Sequence, residues 1–207
     1  MRAEPSSSST GRPSAAGGNA LDALAAWLSR ARAAGLADAA AMSLATVGAD
    51  GSPSLRLVSL KRIDGDGLVF TTALWSRKVG ELRANPRVAA TFYWHSLGRQ
   101  ARVEGRAEPA ARELAEELFA ARPRSHQLQA HVSRQGEEIE SVEVLRERLA
   151  ALEAELGERP VPCPEDWGAV RIVPDRIELW EEASDRLHRR TLYTAVGDGW
   201  RQTLLAP

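Results

Sequence analysis

Between residues 42 and 108 the apolar side chains recur with a period of two, and turn chemistry interrupts them roughly every ten residues. The segments are 42–47 (MSLATV), 54–62 (SLRLVSLKR), 68–72 (LVFTT), 88–94 (VAATFYW) and 100–108 (QARVEGRAE). Ala49-Asp50-Gly51-Ser52 and Asp64-Gly65-Asp66-Gly67 have the composition of hairpin turns. Five short strands joined in this way close most economically as a small antiparallel barrel or sandwich. A short helix at 76–84, stopped by Asn85-Pro86, interrupts the series.

The flanking segments are of a different kind. Residues 1–19 are rich in Ser, Gly and Pro and have almost nothing to bury, so a disordered tail is expected. Leu21, Leu24, Trp27 and Leu28 then fall at helical spacing, with Asn19 or Asp22 as the cap and Gly35 near the end. Helices are predicted at 110–121, ended by Arg122-Pro123, and at 137–156. The latter carries Val142, Leu145, Leu149, Leu152 and Leu156 in alternating steps of three and four. That stripe suits a helix laid on the barrel; it is too short to demand a coiled coil. Further strands are expected at 169–173, 176–180, 191–193 and 200–204. The fold class is therefore mainly β with peripheral helices, in one domain over 20–207.

Composition narrows the functional classes. A formal charge of −1, from 27 basic and 28 acidic residues, argues against a general nucleic-acid or membrane-surface binder. The single cysteine, Cys163, rules out an intrachain disulfide and a cysteine-rich metal site. Four histidines without a carboxylate constellation make no case for a metal. No apolar run approaches a membrane span and no secretory leader is visible, so a cytoplasmic location is expected. Trp94 and His95 are read as packing residues and His131 as a surface or dimer-face residue. Only Lys61 and Lys78 are lysines; every other basic residue is arginine. Where arginine is used almost everywhere, a retained lysine suggests a site that wants a compact ammonium. Basic residues gather in three places: Arg56 with Lys61, Arg77-Lys78, and 186–190 (RLHRR). Ser76-Arg77-Lys78 opens a helix and suits a phosphate, although solvated surface charge is the plainer reading of each cluster. Arg56 and Lys61 are an odd number of residues apart on one strand, which points them to opposite faces unless a bulge intervenes.

Several segments together resemble the pyridoxine/pyridoxamine 5′-phosphate oxidases, the FMN-dependent split-barrel flavoproteins. They are RLVSLK (56–61), VFTTALWSRK (69–78), NPRV (85–88), YWHSLGRQARVEG (93–105), RPRSHQ (122–127), VSRQ (132–135), IELW (177–180), RLHRR (186–190) and the terminal LLAP (204–207). They occur in the family's order, from about residue 20 to the end. The resemblance implies an FMN-binding split β-barrel, working as a homodimer with two flavin sites across the interface and with residues 160–207 in the dimerisation part.

It also implies roles. Arg56, Leu57, Val58, Ser59, Leu60 and Lys61 would line the flavin. Thr71 and Thr72 would touch it, with Thr71 where the family commonly has Tyr. Arg77 and Lys78 would hold its phosphate and Gln100 its ring. Gln135 and Gly136 would lie at the partner subunit's edge, and Trp180 and Arg190 would complete the pocket. A substrate phosphate would meet Lys61 and Arg122, with Leu118 and His126 where the family has Tyr and Ser. Arg186 would orient the reacting carbon, and His188 would bond the ring oxygen or help a proton move. The implied activity is oxidation of pyridoxamine or pyridoxine 5′-phosphate to pyridoxal 5′-phosphate, with oxygen giving hydrogen peroxide. Two alternatives remain. One is an FMN oxidase of phenazine-type metabolism acting on a dihydro-aromatic substrate, whose relatives share the short start seen in 27–32 (WLSRAR). The other is a non-catalytic flavin or pyridoxal-phosphate binding module.

Overall fold

The computed structural model describes residues 19–207. All but the last residue of the expected N-terminal tail therefore lies outside the described residues. Asn19 caps the first helix, α1 (Ala20–Ala33), by accepting the Leu21 N–H at 3.0 Å. Gly35, at φ 77, then takes the left-handed turn that ends it.

The strands are β1 (Ala41–Val47), β2 (Pro53–Ile63), β3 (Leu68–Ala73), β4 (Arg87–Trp94), β5 (Arg99–Pro109), β6 (Trp167–Glu181), β7 (Arg189–Val196) and β8 (Gly199–Leu205). All pair antiparallel in the order β3-β2-β1-β4-β5-β6-β7-β8, and β3 also pairs with β6. That extra pairing closes the first six into a barrel and leaves β7 and β8 as an extension, the architecture the sequence implies. Alternation places Met42, Leu44, Phe70, Phe92, Val103 and Ile177 in a fully buried interior. The apolar stripe of α1, Leu21, Leu24, Leu28 and Ala31, joins the same core. Trp94 packs there too and donates its indole N–H to the Ala39 carbonyl at 2.9 Å.

Four expectations need correction. The two strands expected at 169–173 and 176–180 are one long strand, β6. Pro174 does not break it, because a register shift opposite Glu104 and Gly105 absorbs Asp175 as a bulge. Gly105 lies so close to that bulge that a Cβ there would be 2.2 Å from the Val173 carbonyl oxygen. The long helix begins later than expected, as α5 (Val142–Leu156), with 137–141 in an irregular approach to it. The helix at 110–121 is shorter, α3 (Arg112–Ala120), and a further helix, α4 (Arg124–Val132), follows Pro123. The short helix α2 (Arg77–Ala84) stands where the sequence puts it.

Arg112 ties α3 to the connector leading into β6, donating to the carbonyls of Cys163, Pro164 and Trp167. Phe119, Leu128 and Val161 form a small core there, with Leu149, Leu152 and Leu156 of α5 against it. The stripe of α5 therefore lies on α4 and the end of α3 rather than directly on the barrel, and α4 stands beside β2 and β3.

Candidate functional site

A cavity of about 320 Å³ opens where β2, β3, α4 and the loop after α4 meet. Its lining includes Leu57, Val58, Ser59, Lys61, Thr71, Thr72, Lys78, Arg122, His126 and Gln135, ten of the residues singled out in the sequence. Its remaining liners include no carboxylate.

Three cations meet there without an acidic partner among the described residues. Lys78 is buried at 6% exposure, and its ammonium donates to Thr72 Oγ1 at 3.1 Å, Ser76 Oγ at 3.2 Å and Gln135 Oε1 at 2.9 Å. All three acceptors are neutral. Burial pushes the Lys78 pKa down, the Arg56 guanidinium adds to the fall, and Glu81 opposes it. Lys61 stands where the β2–β3 register shifts, between Leu60 and Arg62, so the bulge falls at the lysine itself. Among the described residues its ammonium reaches only Ser59 Oγ, at 3.4 Å, and burial and then Arg122 push its pKa down. Arg122 stacks over the Trp167 ring at 4.3 Å, and its Nη1 is buried with no hydrogen-bond partner among the described residues. An orphaned buried guanidinium nitrogen beside two unpaired ammoniums is costly unless an anion comes to meet them.

Arg56 and Arg77 are not part of this lining. Both are held by Glu81, which is 7% exposed. The Glu81 carboxylate accepts from Thr46 Oγ1 at 2.5 Å, Ser54 Oγ at 2.7 Å, Arg56 Nη2 at 3.0 Å and Arg77 Nε at 2.8 Å. Burial alone would raise the Glu81 pKa, but these four donors outweigh it and bring it to about 2. Arg56 and Lys61 do lie on opposite faces of β2, since Arg56 turns toward β1 and Glu81 while Lys61 faces the cavity.

Other predicted positions fall elsewhere. Leu60 is buried in the barrel core. Leu118 packs against the Val69, Ala115 and Ala169 cluster under α3 and is absent from the cavity lining. Gly136, at φ 93, makes the turn after Gln135 and is likewise absent. Gln135 was expected at a partner's edge, yet it reaches Lys78 within its own chain. Arg134 stacking on Trp75 at 5.0 Å fixes the loop that delivers it.

Gln100, Trp180 and Arg190 form a second group. The register pairs Gln100 with Trp180 and Trp180 with Arg190, so their side chains share one face of the sheet. Arg190 Nε donates to Glu178 at 2.8 Å, and the His188 ring lies 4.7 Å from that of Trp180. Arg186, exposed at φ 67, belongs to the adjoining loop. The ladder Leu57–Ser43–Thr91–Arg102–Glu178 continues that face to the cavity side of β2. Leu55, Leu57 and Tyr93, on this face, are 60–71% exposed. The cavity liners and the group of Gln100, Trp180 and Arg190 thus occupy two separate places on one outer surface, with an apolar strip between.

Sequence reasoning missed Trp75, Gln129, Ala130, Ser133 and Trp167, which also line the cavity. His126, Gln129, Ala130 and Ser133 recur at i, i+3, i+4 and i+7, the spacing of one helix face, and Pro123 precedes them; that pattern would have revealed α4.

Comparison with known proteins identifies the family. The family model described as pyridoxamine 5′-phosphate oxidase matches residues 28–154. A second, the pyridoxine 5′-phosphate oxidase C-terminal dimerisation region, matches 167–207. The chain belongs to the pyridoxamine 5′-phosphate oxidase family. A pyridoxine/pyridoxamine 5′-phosphate oxidase of Rubrobacter xylanophilus is 50% identical over 181 residues, covering 87% of this chain and 83% of the relative. That of Sphingopyxis alaskensis is 44% identical, with 87% and 84% covered. Among solved structures, PhzG from Burkholderia lata, in complex with tetrahydrophenazine-1-carboxylic acid, matches with a TM-score of 0.86 and 32% identity over 91% of this chain and 93% of that one. No described helix is long and apolar enough to cross a membrane.

Proposed function

We propose that this family member is an FMN-dependent oxidase that converts pyridoxamine or pyridoxine 5′-phosphate to pyridoxal 5′-phosphate, and that it works as a homodimer. One observation carries the substrate class: Lys61, Lys78 and Arg122 meet in a cavity without an acidic partner. Three cations suit two phosphate groups, one on the cofactor and one on the substrate. Lys78, at the opening of α2 with Ser76, would hold the flavin phosphate. Arg56 and Arg77 stand behind it, tethered by Glu81. Lys61, Arg122 and His126 would hold the substrate phosphate.

FMN fits this donor set, and when bound it supplies the two-electron redox chemistry, taking a hydride from the substrate carbon and passing the electrons to oxygen as hydrogen peroxide. The protein's own residues bind and orient. Leu57, Val58, Thr71 and Thr72 would wall the flavin. Gln100, Trp180 and Arg190 would reach it from a second copy, because within one chain they lie across the outer face from the cavity. The exposed Leu55, Leu57 and Tyr93 on the intervening strip favour such pairing. Arg186 and His188 would close over the substrate ring from the same side. For the amine, water then releases ammonia: pyridoxamine phosphate, oxygen and water give pyridoxal phosphate, ammonia and hydrogen peroxide.

The structural match to PhzG favours a second reading, oxidation of a dihydro-aromatic acid. The unpaired Lys61 and Arg122 argue for a phosphate instead. Anaerobic addition of each substrate class to the FMN-loaded protein separates the readings. Bleaching of the flavin by pyridoxamine 5′-phosphate, with pyridoxal 5′-phosphate formed on admitting oxygen, is expected. Bleaching only by a dihydrophenazine carboxylate would establish the second reading, and bleaching by dithionite alone would indicate a binding module.

A further inference from the structure

Glu81 joins three elements of the chain, and its two oxygens are used differently. Oε2 faces the barrel. It accepts from Thr46 Oγ1 on β1 at 2.5 Å, and from Ser54 Oγ and Arg56 Nη2 on β2 at 2.7 and 3.0 Å. Oε1 accepts from Arg77 Nε, one turn back on α2, at 2.8 Å. Arg56 is itself pinned to the barrel. Its Nη1 donates to the Leu44 carbonyl at 3.2 Å and to Thr46 Oγ1 at 2.5 Å, and its Nη2 donates to Ser54 as well as to Glu81.

The consequence falls on Arg77. An ion pair one helical turn apart on a surface usually holds little, because both side chains stay mobile. Here Arg77 is 74% exposed, but its partner is buried and fixed by three donors from the barrel side. The buried partner has already lost its freedom, so the pair constrains the exposed one. A guanidinium has five N–H donors, and a grip at Nε leaves others for a further acceptor. Lys78 follows directly in the first turn of α2, with its ammonium among Thr72, Ser76 and Gln135. Together Arg56, Arg77, Lys78 and Glu81 carry a net charge of +2, the complement of a phosphate monoester near −2.

We propose that Glu81 is a strut: Oε2 is bolted to β1 and β2, and Oε1 grips Arg77 at Nε so that its remaining donors are presented to the flavin phosphate from behind Lys78. Glu81 is then a positioning residue for the cofactor, acting through Arg77 without touching the cofactor itself. A donor whose orientation is set before its ligand arrives loses less freedom on binding. The strut rests on the reading above that puts the flavin phosphate at Lys78.

Titration of flavin into the cofactor-free full chain, followed by quenching of flavin fluorescence, gives the affinity for FMN and for riboflavin, which lacks the phosphate. Glu81→Asp keeps the charge but is a methylene too short to span both ends. It should weaken FMN about fivefold or more and leave riboflavin within about twofold. Equal losses for the two flavins would show that Glu81 only supports the fold, and no loss would show that the strut is not needed; either result overturns the proposal. Thr46→Val keeps Glu81 and Arg77 and loosens only the barrel end. It should weaken FMN about twofold or more with riboflavin unchanged, and a parental FMN affinity would refute the barrel attachment. Arg77→Lys has no Nε to grip. In that background Glu81→Asp should cost less than about twofold further, and a full fivefold loss there would show that Glu81 does not act through Arg77. Lys78→Ala tests the reading beneath the proposal. An unchanged ratio of FMN to riboflavin affinity in that variant would overturn the phosphate's placement and the strut with it. A ratio that falls in Lys78→Ala but not in Glu81→Asp would overturn the strut alone.

Discussion

A single buried carboxylate, Glu81, sets apart the cations around the first turn of α2. Glu81 occupies Arg56 and Arg77, and Lys78, one helical step away, is left with neutral oxygens. Its carboxyl is depressed from an ordinary 4.5 to about 2, so the stability it adds is complete above about pH 4.5 and is lost as pH falls toward 2. Glu81→Gln should therefore be less stable than the parent by about 1–3 kcal/mol at pH 7 in urea titrations. The gap should close as the pH is lowered from 4.5 toward 2; a gap that widens on acidification would contradict the assignment. On the opposite wall, Lys61→Ala and Arg122→Ala should each raise KM for pyridoxamine 5′-phosphate about ten- to hundredfold, as loss of a charge-assisted bond does. Turnover of pyridoxamine, which has no phosphate, should barely respond. Equal losses for both amines in steady-state kinetics would show that these residues do not read a phosphate.

At the scale of elements, the alternating segments between 42 and 108 were legible because each strand buries one face, and a period of two leaves little freedom in its placement. The continuity of β6 was hidden because Pro174 reads as a strand breaker, while the structure accommodates it beside an added residue, Asp175. Gly105→Ala tests that junction. Its Cβ would collide with the Val173 carbonyl and Pro174 Cα, both backbone, so the variant should melt several degrees lower or fail to fold. A melting temperature equal to the parent's would mean that the bulge is not fixed as described. Of the site, Lys61 and Lys78 stood out by composition alone. Arg56 is held by Glu81 across 25 positions, which no local pattern carries, whereas Arg77 and Glu81 stand four apart on α2, a helical spacing the sequence displays. Leu118 and His126 both follow from the motif, yet only His126 faces the cavity. Helix α4 turns one side to that wall, while Leu118 leaves α3 toward the Val69 cluster.

For the whole molecule, the proposed reading means that one chain carries two half-sites that do not meet. The cavity with Lys78 lies at the β2–β3 edge, and the loop with Arg186 lies beyond β6, on the far part of the same outer face. Residues 167–207, which include Trp180, Arg186, His188 and Arg190, match the family's dimerisation region. A two-fold pairing across the Leu55, Leu57 and Tyr93 strip would set each loop over the other copy's cavity. Lys78→Ala and Arg186→Ala should each leave little oxidase activity in its own homodimer. If the two variants are unfolded together, refolded as an equal mixture and supplied with FMN, half the dimers combine one chain of each kind, and each such dimer holds one intact site. Pyridoxal 5′-phosphate formation by that mixture should recover to about a quarter of the parent rate. A mixture no more active than the two variants apart would show that each chain builds its site alone.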